Sequence, residues 1–283
     1  MEEKNQLLDK RIAVIGIGGV GGYLAAMLGR VCPHLTLGAR GGRRDSVLKD
    51  GLVLHSDYKG EIVKNYSLEE VCADLKSAVT DDTVIIPVMN GVDPGDRIRS
   101  LTGKGTVVDS LIYIVAFAND DYSITQQGDF ANLRIGITDA DEKGKKKVSE
   151  VSQMLSGADI DHEVAEDIEA AIWKKYILNC AYNAESAYYD NTIGQLRSDP
   201  VKAKEYEALV NEAYQVGRAK GVNVKQEDVD AIIHRFYYEL ADNATSSLQR
   251  DIRAGKKAEV ETFSGYIVKE GAKLGVDTPV TEK

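Results

Sequence analysis

Cysteine, proline and tryptophan are scarce in this chain, at three, five and one among 283 residues. Three cysteines cannot all pair with one another and none sits in a Cys-x-x-Cys arrangement, so a disulfide framework is not what holds the fold. The four histidines, His34, His55, His162 and His234, are widely separated, with no His-x-x-x-His and no Cys/His cluster, so no metal site is expected. His162, in a polar stretch, reads as exposed. Basic residues are outnumbered, 35 against 45 acidic, for a formal charge of -10. That balance argues against non-specific binding to nucleic acid while leaving room for a local basic pocket. No repeat, low-complexity tract or Pro/Ser-rich linker is present. The opening MEEKNQLLDK is too polar for a secretory leader.

The longest uncharged run, Ile12 to Gly29, is 18 residues and would just reach across a bilayer. Six of its residues are glycine, and it reads better as strand, turn and helix, so no membrane span is expected and a cytoplasmic location follows. The chain is 43% hydrophobic and 28% charged, which supplies real cores, and its length fits one large domain or two smaller ones.

The first half alternates short apolar strands with helical patterns: RIAVIG, YLAAMLGRV, LTLGAR, GLVLHS, TVIIPVMNG, TVVDSLIYIVAFAND and LRIGITDA. This traffic predicts an α/β domain with a doubly wound, largely parallel sheet of Rossmann type. From about Asp167 strand punctuation stops. IEAAIWKKYILNCAYNAESAYYD is expected to be helical throughout, and PVKAKEYEALVNEAYQVGRAKG opens on Pro200 and closes on Gly221. Two more helices complete an all-helical C-terminal part. The expected domains are therefore 1–166 and 167–283, with a cleft at their junction. The stretch GLVLHSDYKGEIVKN is short: only Glu61, Ile62 and Val63 remain for a strand before Lys64, a deficit of roughly one crossover and one strand, about 20 residues.

Gly16-Ile17-Gly18-Gly19-Val20-Gly21 follows a strand pattern and precedes a helical one. In a dinucleotide loop Gly16 serves the tight turn, Gly18 lets backbone approach a pyrophosphate, and Gly21 lets helix pack on strand, with helix-start N–H groups, Gly19 included, near the phosphates. The competing reading is a structural glycine turn. The second strand ends in Arg40, with Arg43 and Arg44 beyond and Asp45 only after them; a cation there suits the 2′-phosphate of NADP, whereas NAD sites carry an acid. Arg43 and Arg44 read as a solvated loop.

Lys175, Asn179 and Asn183 recur at i, i+4 and i+8, one polar stripe that drifts about 40° per step. Amides within an apolar helix need partners, either a polar ligand or a structural capping network. Lys174 points elsewhere, towards solvent, and Cys180 reads as a small core residue. Glu259 precedes an apolar-periodic helix and suits an anchor for a hydroxyl or ammonium. Ser247, alone, reads as a helix cap.

Together these residues resemble the ketopantoate reductase family (2-dehydropantoate 2-reductase) over nearly the whole chain. The glycine loop and Arg40 match; Val63-Lys64-Asn65-Tyr66 is similar to the family's VK-aromatic loop; Asn90-Gly91-Val92 is similar to its NG loop; Trp173, Lys175, Asn179 and Asn183 match its W-x-K-x3-N-x3-N signature; and Ser247, Asp251 and Glu259 match its late motif. Ala184-Glu185-Ser186-Ala187-Tyr188 and Lys256-Lys257-Ala258-Glu259 depart from the usual family residues. The resemblance implies NADPH-dependent reduction of 2-dehydropantoate to (R)-pantoate, on the route to pantothenate and coenzyme A. It implies Lys175 as general acid and Glu259 beside it as catalytic residues. Asn90, Asn179, Asn183 and Ser247 would hold the 2-oxo acid, and Gly16, Gly18, Gly19, Gly21, Arg40, Lys64 and Asn90 the cofactor. Two alternatives stay open: a reductase of another branched 2-oxo acid, and a non-catalytic NADP-binding regulatory protein. A monomer and a homodimer are both compatible with the sequence.

Overall fold

The computed structural model describes residues 10–64, 79–256 and 258–283. The chain divides into two compact units, one of residues 1–89 and 94–168, the other of residues 90–93 and 169–283.

The first unit begins β1 (Ile12–Ile15), α1 (Gly19–Gly29), β2 (Leu35–Gly38), α2 (Gly41–Asp50), β3 (Leu52–Ser56), β4 (Gly60–Lys64). It continues β5 (Val84–Ile85), α3 (Pro94–Thr102), β6 (Thr106–Val107), β7 (Asp109–Ala118), β8 (Ile124–Gly136), α4 (Glu142–Gly157) and β9 (His162–Val164). The β1–β2, β5–β6, β3–β8 and β8–β9 pairs are parallel, as strand–helix alternation requires. Two antiparallel hairpins interrupt that pattern. β7 and β8 pair from Asp109↔Gly136 to Ala118↔Ile124, with an irregularity between Tyr113 and Val115. The turn is built by Asn119 to Ser123: Ser123 N–H donates to Asp121 Oδ1 at 2.9 Å, and Tyr122 takes φ 67°. The short stretch after Gly51 closes as a second hairpin, β3 against β4, in register Leu52↔Lys64 to Ser56↔Gly60. Ser56 Oγ accepts from the N–H groups of Tyr58 and Lys59 there. Among the described residues β1 pairs with β2 alone and β5 with β6 alone, so no strand joins these two parallel ladders.

The core of this unit gathers Leu24 to Leu28 of α1 with Leu52, Leu54, Ile124, Leu133 and Ile135 from the mixed sheet and Val148, Val151 and Leu155 of α4. Each Leu, Ile, Val or Met among them contributes roughly 1.5–3 kcal/mol on leaving water. His162 is not simply exposed: both ring nitrogens are engaged, with Ser152 Oγ at 2.8 Å and the Ile160 carbonyl at 2.9 Å.

The second unit is helical, as expected: α5 (Ile168–Tyr189), α6 (Ile193–Ser198), α7 (Pro200–Ala219), α8 (Gln226–Tyr238), α9 (Ser247–Arg253), a π turn (Glu261–Gly265), α10 (Tyr266–Leu274) and α11 (Pro279–Glu282). Asp199 caps α7 by accepting from Val201 N–H, with Pro200 in the first turn, where a missing N–H costs nothing. Trp173, Tyr176, Ile177 and Cys180 of α5 pack with Tyr206, Val210 and Ala213 of α7, Phe236 of α8, and Phe263 and Ile267. Among the described residues no helix is long and apolar enough to cross a membrane.

Candidate active site

The glycine loop lies where β1 gives way to α1. Gly16 takes φ 86°, which an L side chain rarely adopts, and its N–H donates to the Gly38 carbonyl at 3.0 Å, tying the loop to β2. A Cβ on Gly21 would overlap the Gly16 carbonyl, so the third glycine is demanded by the loop's own closure. A Cβ on Gly19 would overlap the Ala116 carbonyl of β7, and packing accounts for that glycine. Gly18 differs: it is the extended N-cap of α1, and a Cβ there would meet nothing within 4 Å. No side chain caps α1 and no acid stands in its first turn. The helix start therefore offers N–H groups and the positive end of its dipole to an anion, with an open approach at Gly18. These residues fit a dinucleotide pyrophosphate.

Arg40 is the exposed N-cap of α2, at the end of β2. Arg43 and Arg44 are not in a loop: both lie in α2, and the Arg43 guanidinium sits 5.3 Å from the Tyr122 ring centroid, a cation–π contact. Lys64 ends β4. Asn65 and Tyr66 fall outside the described residues.

Lys175, Glu259 and Asn90 meet within the second unit. Asn90 Nδ2 donates to Glu259 Oε2 at 3.0 Å. Burial pushes the Lys175 ammonium down to about 8, and the Glu259 carboxylate opposes that fall. Lys174, on another face of α5, forms an ion pair with Asp228 at 2.9 Å. The two stripe amides have different surroundings. Asn183 is 3% exposed and internally satisfied: its Nδ2 donates to the Asn179 carbonyl at 2.9 Å, and its Oδ1 accepts from Ser247 Oγ at 3.3 Å and Leu248 N–H at 3.2 Å. Asn179 is only partly buried. Ser246, not Ser247, is the N-cap of α9, accepting from Gln249 N–H at 3.1 Å. Cys180 is core, and burial raises its thiol. Among the described residues no group of three metal-ligating side chains occurs.

Sequence reasoning did not find the Asn90–Glu259 hydrogen bond, which joins residues 169 positions apart. It also passed over Tyr176, whose hydroxyl donates to the Thr262 and Phe263 carbonyls at 2.7 and 2.9 Å. The only signal was a phenol in an apolar helix, which needs a partner when buried.

A strand–glycine loop–helix unit followed by a helical domain that pairs a lysine with a glutamate defines an oxidoreductase of the dinucleotide-binding class. Residues 62–140 match the family described as ketopantoate reductase PanE/ApbA, and residues 167–283 match its C-terminal counterpart, ketopantoate reductase PanE/ApbA C terminal; the chain belongs to the ketopantoate reductase family. It is 23% identical to an uncharacterized oxidoreductase, YkpB, of Bacillus subtilis (96% of this chain, 95% of the other). It is 26% identical to a 2-dehydropantoate 2-reductase of Archaeoglobus fulgidus (96% and 94%). The fold superimposes on a PanE/ApbA family ketopantoate reductase from Ralstonia eutropha with TM-score 0.83, at 24% identity over 96% of this chain and 95% of the other. The B. subtilis alignment runs over 292 positions, but 96% of 283 residues is about 272, so about 20 positions face a gap in this chain. The same subtraction from 288 positions for the A. fulgidus protein leaves about 16.

Proposed function

We propose that this protein reduces the 2-oxo group of 2-dehydropantoate with NADPH, giving (R)-pantoate. The carrying observation is the partly buried Lys175, titrating near 8 beside a Glu259 carboxylate that Asn90 holds. Bound NADPH supplies the hydride. Negative charge then develops on the ketone oxygen, where a desolvated ammonium acts strongly. Lys175 stabilises that charge and then delivers its proton to the oxygen from Nζ, as a general acid whose titration lies near the working pH. Lys175 is mostly protonated at neutral pH, and kcat/KM falls as pH rises through about 8. Glu259 keeps the ammonium charged and accepts a hydrogen bond from a substrate hydroxyl. The loop Gly16 to Gly21 would hold the pyrophosphate and Arg40 the 2′-phosphate, with Lys64 on the cofactor side.

One observation favours a second reading, a reductase of another branched 2-oxo acid. Asn183 and Ser247 satisfy each other, which leaves Asn90, Asn179 and Glu259 as the polar groups for recognition. The test follows loss of reduced-nicotinamide absorbance with 2-dehydropantoate, 2-oxoisovalerate and pyruvate, using NADPH and NADH. Turnover confined to dehydropantoate with NADPH supports the first reading; turnover on another oxo acid supports the second. Lys175→Ala is expected to lower kcat by at least about 100-fold, and near-normal kcat in that variant would remove the lysine from the chemistry.

A further inference from the structure

Lys175 and Glu259 stand on very different supports. Lys175 rides in the middle of α5, a long helix with a packed face. Glu259 is exposed, at the end of a largely exposed stretch that begins at Gly255. Its downstream end is tied by backbone hydrogen bonds. The Glu259 carbonyl accepts from the N–H groups of Thr262 and Phe263 at 3.1 and 3.3 Å, which welds Glu259 to the π turn Glu261–Gly265. Where π bonding gives way to α bonding, the register cannot keep every carbonyl in the ladder, so outside donors are wanted there.

Tyr176 supplies one. It is 2% exposed, and its hydroxyl reaches both the Thr262 and the Phe263 carbonyls. Its ring cannot swing away. Trp173 meets it edge-on at 5.6 Å, Tyr266 edge-on at 5.9 Å, and Phe263 stacks at 6.1 Å with 21° between planes. The residue next to Lys175 on α5 thus grips the turn that carries Glu259.

We propose that Tyr176 is a positioning residue, its hydroxyl holding the π turn so that the Glu259 carboxylate stays beside the Lys175 ammonium. The proposal rests on the reading of Lys175 as proton donor, but its physical content concerns two charges and one tether. Around this tether the charged groups include Glu259 and Lys175 themselves, Asp93, whose charge acts on the Tyr176 hydroxyl, and Glu261 on the held turn with its ion-pair partner Lys269. Cys180, also beside it, stays a neutral thiol, since burial pushes its titration up.

Tyr176→Phe keeps the ring contacts and deletes the tether. Glu259 raises the Lys175 titration, so a looser Glu259 lets it fall below about 8. The first experiment is an NMR titration of the Lys175 side chain, assigned against Lys175→Arg, in wild type and in Tyr176→Phe, both below their melting temperatures. The midpoint is expected to drop in the variant, and the alkaline limb of kcat/KM to move the same way. With misplacement of the carboxylate, kcat should fall on the order of tenfold. In a Glu259→Gln background the Tyr176→Phe change should no longer move the Lys175 midpoint. An unchanged midpoint and unchanged kcat in Tyr176→Phe overturn the tether. A midpoint that still moves in the Glu259→Gln background overturns it too, because the effect then bypasses Glu259. A Phe variant that folds at no temperature also overturns it, the hydroxyl being structural first. The titration needs no turnover, so a wild type inactive on every oxo acid would defeat the proposed function while leaving this test readable.

Discussion

Glu185 gives the sharpest stability prediction. It sits on α5, 3% exposed, and its Oε1 has no hydrogen-bond partner among the described residues. Burial, reinforced by the nearby Glu205 charge, pushes its carboxyl up to about 7, with Lys283 and Lys202 pulling weakly the other way. A carboxyl with a raised folded-state pKa binds its proton more tightly in the native than in the unfolded chain. Its favourable contribution is therefore complete below about 4.5 and is lost as pH rises to about 7, beyond which the native state carries a buried anion. The difference between 4.5 and about 7 corresponds to about 3 kcal/mol. Glu185→Gln keeps the shape and cannot ionise. Urea unfolding from pH 4.5 to 8 should show the variant close to wild type at the acid end and more stable by up to about 3 kcal/mol at the alkaline end. The comparison cancels every other titrating group. Parallel stability curves would refute the buried-anion argument, because the gap between the two proteins must open through that pH window.

The glycine loop separates closure from ligand approach. Gly21→Ala forces a Cβ against the Gly16 carbonyl and should destabilise by about 1–3 kcal/mol, whereas Gly18→Ala, with open space at its Cβ, should leave Tm unchanged while weakening NADPH binding measured by calorimetry. Asn183→Ala strands the buried Leu248 N–H and should cost about 1–3 kcal/mol in urea unfolding, with a smaller effect on substrate KM than Asn179→Ala. Arg40→Ala should raise KM for NADPH far more than for NADH; equal effects on both would remove the 2′-phosphate assignment.

How far the sequence carried the structure depended on the range of the interactions involved. The α5 and α7 helices were readable because their starts and stops are local: Pro200, Asp199 and Gly221 act within a turn of themselves. The glycine loop was readable for the same reason. The β7–β8 hairpin was not, although Asn119-Asp120-Asp121 is a turn signal, because apolar runs on both sides also suit buried parallel strands. The stripe of Lys175, Asn179 and Asn183 was visible as a period, but the period could not say which amide faces a ligand. That depended on Ser247 and Leu248, more than sixty positions away, which saturate Asn183. Tyr176 was hidden for the opposite reason: on an apolar face, only its distant carbonyl partners distinguish it from core.

The nucleotide loop keeps its shape because α1 is seated on more than one sheet. Among the described residues β1 pairs with β2 alone and β5 with β6 alone, and α1 packs on more than the β1–β2 ladder. The mixed sheet supplies much of its seat. Gly19 lies against the Ala116 carbonyl of β7 and Gly22 against Ile124 of β8, each so close that a Cβ would overlap it, while Leu24 to Leu28 are buried in the core with Leu52 and Leu54 of β3. The mixed sheet β4-β3-β8-β7 therefore supports the phosphate-facing helix together with β1 and β2, and β1 delivers the chain to Gly16, whose N–H is pinned by Gly38. Gly19 and Gly22 are thus glycines because the β7–β8 hairpin leaves no room for a Cβ on either.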